Sequence, residues 1–321
     1  MTRQLIPSAG KREPEVGYSR AVRAGNRVFV SGTTSTDPRG RIDGVGDAAA
    51  QTRRIFEIIE TALAEAGASL EDVVRTRIFV TDIAADSEVI GKIYGEKFGT
   101  IRPAATMVEV SQLIDPRLRV EIETDAVAGS GGCDAVILAG GKSRRMGRDK
   151  RTLRVGNRTL LSHTKAALSE AGWKARVVAD DLKPGLGPLG GIATALRKTT
   201  HSRVLFVGCD MPFLSDELLR QFFDEAVSGA GSIFTRYAKG IGFPFLLHRD
   251  DLKIVEQQIT KGALSLQRLA KRLAAREWEP SVRIERQLFN INTPDDLAEA
   301  KRRWKEPASV SYTHLTLPTK A

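Results

Sequence analysis

Residues 133–150 read Cys133-Asp134-Ala135-Val136-Ile137-Leu138-Ala139-Gly140-Gly141-Lys142-Ser143-Arg144-Arg145-Met146-Gly147-Arg148-Asp149-Lys150. The apolar run Ala135-Val136-Ile137 has the character of a buried strand, and it empties straight into a glycine-rich basic turn. Gly140 and Gly141 let backbone N–H groups approach an anion closely, while Lys142, Arg144, Arg145 and Lys150 supply the positive charge that a triphosphate needs. The spacing is neither Gly-x-x-x-x-Gly-Lys-Ser/Thr nor Gly-x-Gly-x-x-Gly, which sets aside a Walker loop and a dinucleotide fingerprint. Such a turn can also do no more than join a strand to a helix.

Working outward, short apolar runs at 134–138, 176–179 and 203–207 alternate with helical stretches at 157–171, 190–198, 215–228 and 294–304. That is the pattern of parallel strands with crossover helices. Strand ends carrying Gly140 and Asp210 are expected to converge at the carboxyl edge of the sheet, where open α/β folds bind ligands. Upstream, Arg27–Gly32 and Thr76–Thr81 alternate like strands, as do Thr106–Val110 and Leu118–Val127. Ala48–Ala66 and Asp86–Phe98 carry helical periodicity, so a sheet covered on one face by two helices is expected. Gly129-Ser130-Gly131-Gly132 reads as a short flexible linker at 129–132 between a domain at 1–128 and another at 133–306.

The 321 residues and 41% hydrophobic content suffice for two cores. Residues 1–128 hold 17 Lys/Arg against 19 Asp/Glu, and the remainder holds 32 against 20, so the basic excess belongs to the second half. That field suits a nucleoside triphosphate and a phosphorylated acceptor; a solvated basic surface accounts for it equally well. The Arg residues between 268 and 303 are interleaved with Glu and Ala at helical spacing, an exposed helix face and not an aromatic-studded nucleic-acid groove. Cys133 and Cys209 fit no metal spacing and suit a reducing cytoplasmic setting. There is no apolar stretch of membrane-spanning length and no hydrophobic leader at the N-terminus. Residues 309–321 share no pattern with either domain and read as in-frame translation of a sequencing adapter, so no function is attached to them.

Residues 138–150 resemble the signature of the molybdenum-cofactor guanylyltransferase family. Three further segments agree in order: Pro184-Gly185-Leu186-Gly187-Pro188-Leu189-Gly190-Gly191, Cys209-Asp210-Met211-Pro212, and Asn290-Ile291-Asn292-Thr293-Pro294-Asp295-Asp296-Leu297. The resemblance implies a Mg²⁺-dependent nucleotidyltransferase that uses GTP and the molybdopterin cofactor and releases pyrophosphate. It implies that Asp210 is the metal ligand and that Lys150 contacts nucleotide phosphate. Leu138, Ala139, Gly140, Gly141, Arg145, Asp181, Gly187, Pro188 and Leu189 would complete the nucleotide site. Asn290 and Asn292 either orient the acceptor or cap the helix beginning at Pro294. Between the first helix and Pro184 the family places a strand, a loop and another strand, whereas Trp173–Ala179 offers a single strand. The family asparagine that helps bind the guanine nucleotide has no counterpart here; the missing stretch is either an assembly error or a natural shortening.

Residues 16–128 resemble the Rid family of enamine/imine deaminases, which form trimers with ligand clefts between subunits. Gly17-Tyr18, Val28-Phe29-Val30-Ser31-Gly32, Arg102–Val110 and Val120-Glu121-Ile122-Glu123 carry the likeness. Tyr18 and Glu121 match cleft residues of the deaminating branch, where the resemblance implies that the glutamate helps to activate water; a structural role accounts for both residues equally well. The arginine that grips the substrate carboxylate aligns with Ala105, and Met107 replaces a small polar or thiol residue. Without that arginine a bidentate clamp is lost. Arg102, at an odd offset, points to the opposite face of a strand.

Together these resemblances imply an α/β chain: a Rid-like α+β domain followed by a Rossmann-like, mostly parallel nucleotidyltransferase domain. A homotrimer through the first domain, without nucleic-acid or membrane partners, is expected. CTP or a sugar phosphate as substrate, and a trimeric small-molecule binding protein with an inactive transferase half, stay open as alternatives.

Overall fold

The computed structural model describes residues 3–8, 10, 12–140, 149–179, 186–237 and 240–305. The first sheet contains β1 (Arg3–Ile6), β2 (Ala21–Ala24), β3 (Arg27–Thr33), β4 (Val73–Val80), β5 (Ala104–Glu109) and β6 (Val120–Val127), in the order β1-β2-β3-β6-β4-β5. A short helix α1 (Arg12–Val16) precedes β2, and α2 (Ala48–Glu65) and α3 (Ile83–Phe98) cover one face. The helix starts are set locally: Asp47 accepts from the N–H of Ala50, and Asp82 accepts from that of Ala85. Ile55, Phe56, Ile59, Ala62 and Leu63 recur at helical spacing on α2 and are buried. They meet the alternating buried positions Val120, Ile122, Thr124 and Ala126 of β6, which leaves Glu121, Glu123 and Asp125 on the opposite face. This agrees with a sheet carrying two helices on one face. β1 and β2 escape sequence reading, because four residues each are too few to show a period.

The second sheet holds β7 (Asp134–Leu138), β10 (Ala175–Val178), β11 (Arg203–Gly208), β12 (Ile233–Tyr237), β13 (Gly240–His248) and β14 (Arg276–Trp278). A hairpin of β8 (Arg154–Val155) and β9 (Arg158–Thr159) stands apart. The sheet order is β10-β7-β11-β13-β12-β14. The pairs β10–β7, β7–β11 and β12–β14 are parallel, while β13 lies antiparallel to both β11 and β12. The expected mostly parallel sheet is thus present with one antiparallel member. A fully buried antiparallel strand carries the same unbroken apolar run as a parallel one, so direction cannot be read from it.

Helices α4 (Leu160–Glu170) and α6 (Asp216–Val227) bury one face of this sheet. On the other lie α5 (Pro188–Lys198), α7 (Leu252–Thr260) and α8 (Leu266–Arg272). The arginine-rich stretch expected as a helix face divides into α8, β14, α9 (Val282–Glu285) and α10 (Pro294–Lys305). α8 stops at Arg272, just before Ala274 takes φ +46°, and Pro294 opens α10 in the first turn, where its missing N–H costs nothing. Among the described residues the sheet ends at β10, the single strand read there; Asp181 lies beyond it, outside the described residues.

Phe245 of β13 is fully buried, with ring centroids 5.0 Å from Phe206 and 4.7 Å from Phe234. Phe245→Ala is expected to lower stability by about 3–5 kcal/mol, because the cavity cannot collapse between two stacked rings. Urea unfolding followed by tryptophan fluorescence measures it.

Candidate active site

Parallel pairing of β7 and β11 sets Leu138 opposite Gly208, and the N–H of Cys209 donates to the Leu138 carbonyl at 3.3 Å. Both strands therefore leave the sheet at the same edge. Leu138 and Ala139 turn buried side chains inward, and the N–H of Ala139 is held by the Val178 carbonyl at 2.9 Å. Gly140 is the first exposed residue beyond them. Gly141 and Arg145, with the rest of the basic turn at 141–148, lie outside the described residues.

β10 runs parallel to β7 and leaves at this edge too, so α5 begins there after residues 180–185. Gly187 caps α5 at φ +57°, a left-handed conformation that glycine adopts without a steric penalty, and Pro188 occupies the first turn. Leu189 is completely buried against the sheet, side chain and backbone alike, so among these three residues only Gly187 and Pro188 are exposed to a ligand.

Asp210 follows β11, and its side chain keeps 19% of its surface exposed. Glycine at 208 makes room for it: a Cβ there would lie 2.6 Å from Asp210 Oδ1. Lys150 opens a 3₁₀ turn, Lys150–Thr152, which starts where Asp149 accepts from the N–H of Arg151. From that turn the Lys150 ammonium donates to Asp210 Oδ2 at 3.0 Å and to Asn292 Oδ1 at 2.8 Å. The Asp210 carbonyl in turn accepts from the N–H of Ile291 at 3.0 Å, and Ile291 is buried with Val155, Leu160 and Ala300. Asp296 Oδ2 accepts from the N–H groups of Asn292 and Thr293, both at 2.8 Å. Asn292 thus donates its backbone N–H to Asp296 at the start of α10, while its side chain is engaged by Lys150. Sequence spacing gave no sign of the Lys150–Asn292 contact, which spans 142 positions.

Among the described residues no group of three or more His, Cys, Asp or Glu could hold a metal. The neighbouring thiol of Cys209 is pushed up to about 12 by burial, followed by the Asp210 charge, so it offers no thiolate. Asp210 is therefore a single hard oxygen donor at an open edge. That donor suits a cation such as Mg²⁺, which keeps most of its octahedron for waters and phosphate oxygens.

The first sheet carries a separate cavity of about 830 Å³, whose walls include Tyr18, Arg20, Ser31, Gly32, Arg54 and Glu121. The structure brings Tyr18 and Glu121 onto this one cavity. Glycine at 32 leaves the space that the Glu121 carboxylate occupies: a Cβ there would sit 2.0 Å from Oε1 and displace it. Burial raises the Glu121 pKa; the Glu123 charge adds to the rise, and Arg20 opposes it. Arg20 donates to the Gly32 carbonyl at 3.3 Å and to Thr33 Oγ1 at 3.0 Å. It was not legible in sequence, where an arginine before a short strand reads as solvated. Ala105 is exposed on β5, and Arg102 spends its Nε on the Gly99 carbonyl at the end of α3, so neither supplies a cavity cation.

Two family profiles match the chain: Endoribonuclease L-PSP over residues 10–128, and the MobA-like NTP transferase domain over residues 135–277. The 3-aminoacrylate deaminase RutC of Acinetobacter baylyi is 40% identical over 126 residues, covering 39% of this chain and 98% of that protein. A molybdenum cofactor guanylyltransferase of Syntrophotalea carbinolica is 34% identical over 194 aligned positions, covering 53% of this chain and 90% of that protein. Since 53% of 321 residues is about 170, part of that alignment has no counterpart here, in keeping with a sheet that ends at β10. A crystal structure of a YjgF/YER057c/UK114 family member from Mycobacterium tuberculosis aligns at 51% identity with a TM-score of 0.36, covering 39% of this chain and 99% of that one. The chain belongs to two families, joining a Rid-type (YjgF/YER057c/UK114) unit to a nucleotidyltransferase of the molybdenum cofactor guanylyltransferase family.

Proposed function

We propose that the nucleotidyltransferase unit transfers GMP from GTP to a terminal phosphate of molybdopterin. The observation that carries this reading is the Lys150–Asp210–Asn292 cluster, which unites three of the four signature segments at the carboxyl edge of the sheet. In the reaction an acceptor phosphate oxygen forms a bond to the α-phosphorus, the α–β phosphoanhydride bond breaks, and pyrophosphate leaves. Asp210 would hold Mg²⁺, which neutralises phosphate charge in the transition state. Lys150 donates to whichever oxygen anion is nearest, and Asn292 keeps its ammonium at the edge of the site. Gly140, Gly187 and Pro188 leave exposed backbone along the same edge for the nucleotide.

Thermal unfolding with Mg²⁺ and each of GTP, CTP, ATP and UTP tests the proposal. GTP at about 100 times its dissociation constant is expected to stabilise the protein by roughly 2.7 kcal/mol. In Asp210→Ala that Mg²⁺-dependent shift is expected to vanish. Selective stabilisation by CTP would reassign the base, and no response to any nucleotide would leave the shortened transferase unit without a working site.

We propose further that the Rid-type unit binds a small ligand without standard imine deaminase activity and assembles the chain as a homotrimer. Ala105 in place of a clamping arginine favours the first point. Phe29, Val74 and Val108, each at least 40% exposed on this sheet, favour the second. Light scattering on the eluted protein is expected to give three times the chain mass. Because burial raises the Glu121 pKa above 4.5, the folded state holds this proton more tightly than the unfolded state, and stability is lost as pH rises through the folded value. Glu121→Gln is expected to raise the melting temperature at pH 7.5 and to leave it unchanged below pH about 4, read by fluorimetry across that range.

A further inference from the structure

The two units are joined by more than their connecting residues. Arg203, the first residue of β11, is only 1% exposed, an unusual place for a guanidinium. Its counter-charge comes from the other unit: Nη1 donates to Asp72 Oδ1 at 3.1 Å and Nη2 to Asp72 Oδ2 at 2.8 Å, and the Asp72 side chain is wholly buried. Nη2 also donates to the Gly67 carbonyl at 3.0 Å. The remaining capacity of that carboxylate is filled by the N–H groups of Ser69 at 2.9 Å and of Gly129 and Gly131, both at 3.0 Å. Residues 129–132, expected as a flexible linker, are therefore anchored.

Around this pair the two surfaces interlock. The N–H of Ser202 donates to Glu71 Oε2 at 2.9 Å, the hydroxyls of Ser69 and Ser202 lie 3.1 Å apart, and Arg23 reaches the Val227 carbonyl. Gly67 and Gly229 touch backbone to backbone, where a Cβ on Gly67 would come within 2.7 Å of Gly229. At that point the two backbones pack without space for water between them.

We infer that the Rid-type unit is a structural subunit of the transferase, and that the two unfold as one. The surface formed by Ser202, Arg203, Val227 and Gly229 is built to receive an acidic turn like Ser69–Asp72. Neutralising Asp72 in the docked chain would leave Arg203 buried without a counter-charge at the base of the strand that leads to Asp210. A lone buried charge is far more costly than the matched pair is stabilising, so the two units stand or fall together.

All three tryptophans, Trp173, Trp278 and Trp304, lie in the transferase unit, so their fluorescence reports its unfolding alone. In the full chain the fluorescence and far-ultraviolet dichroism transitions are expected to coincide. Asp72→Asn, a change confined to the Rid-type unit, is expected to lower the tryptophan transition by roughly 5 °C or more. A tryptophan transition unmoved by Asp72→Asn, or one that separates from the dichroism transition, overturns the inference. Should Asp72→Asn fail to fold, Ile90→Ala in α3, within the Rid-type core, carries the same test. A coupled chain loses its tryptophan transition at lower temperature in that variant, and an uncoupled one keeps it in place.

Discussion

Strand β11 is buried at every one of its six positions, and this constraint organises the chain around it. A strand that no water reaches must have every polar group partnered within the protein. Val204–Val207 meet the requirement by being apolar, paired to β7 on one side and β13 on the other. Arg203 meets it through the Asp72 carboxylate and the Gly67 carbonyl of the Rid-type unit. Beyond Gly208 the chain emerges, and the next charged group, Asp210, is left accessible. One strand thus starts at a charge neutralised inside the protein and leads to another, Asp210, that stays partly accessible at the carboxyl edge.

The accessible charge is prepared by residues from distant parts of the chain. Lys150 arrives from a turn after β7, and Asn292 arrives from the cap of α10, while the Ile291 N–H pins the Asp210 backbone. The Lys150–Asn292 hydrogen bond is exposed and the Lys150–Asp210 pair is only partly buried, so the ammonium keeps contact with solvent while it bridges the two oxygens. The rigid parts are the strand ends and the α10 cap, which is where precise placement is needed.

Much of this was legible beforehand. Alternation in β3, β4 and β6 and helical periodicity in α2 and α3 gave the first sheet, because each residue's environment repeats along a single element. The glycine-rich turn after β7 and the Asp210 strand end gave the carboxyl edge of the second. β1 and β2 were too short to show a period, and the direction of β13 leaves no trace in an apolar run such as Phe245-Leu246-Leu247. Arg20 beside Glu121 was hidden for a different reason: its neighbours in the cavity come from strands remote in sequence.

The sequence by itself determined β3, β4, β6, α2 and α3, the strand ends that meet at the carboxyl edge of the second sheet and the families to which the two halves belong, and it nominated Lys150 and Asp210 for phosphate chemistry. Those properties reside in local spacing and residue type. Only the tertiary structure decided that Lys150 rests between Asp210 and Asn292, and that Arg203 closes on Asp72 across 131 positions. The physical reason is that a charge in sequence looks the same whether it ends in solvent or in the interior. Its partner is chosen by desolvation, which acts only once the elements have packed.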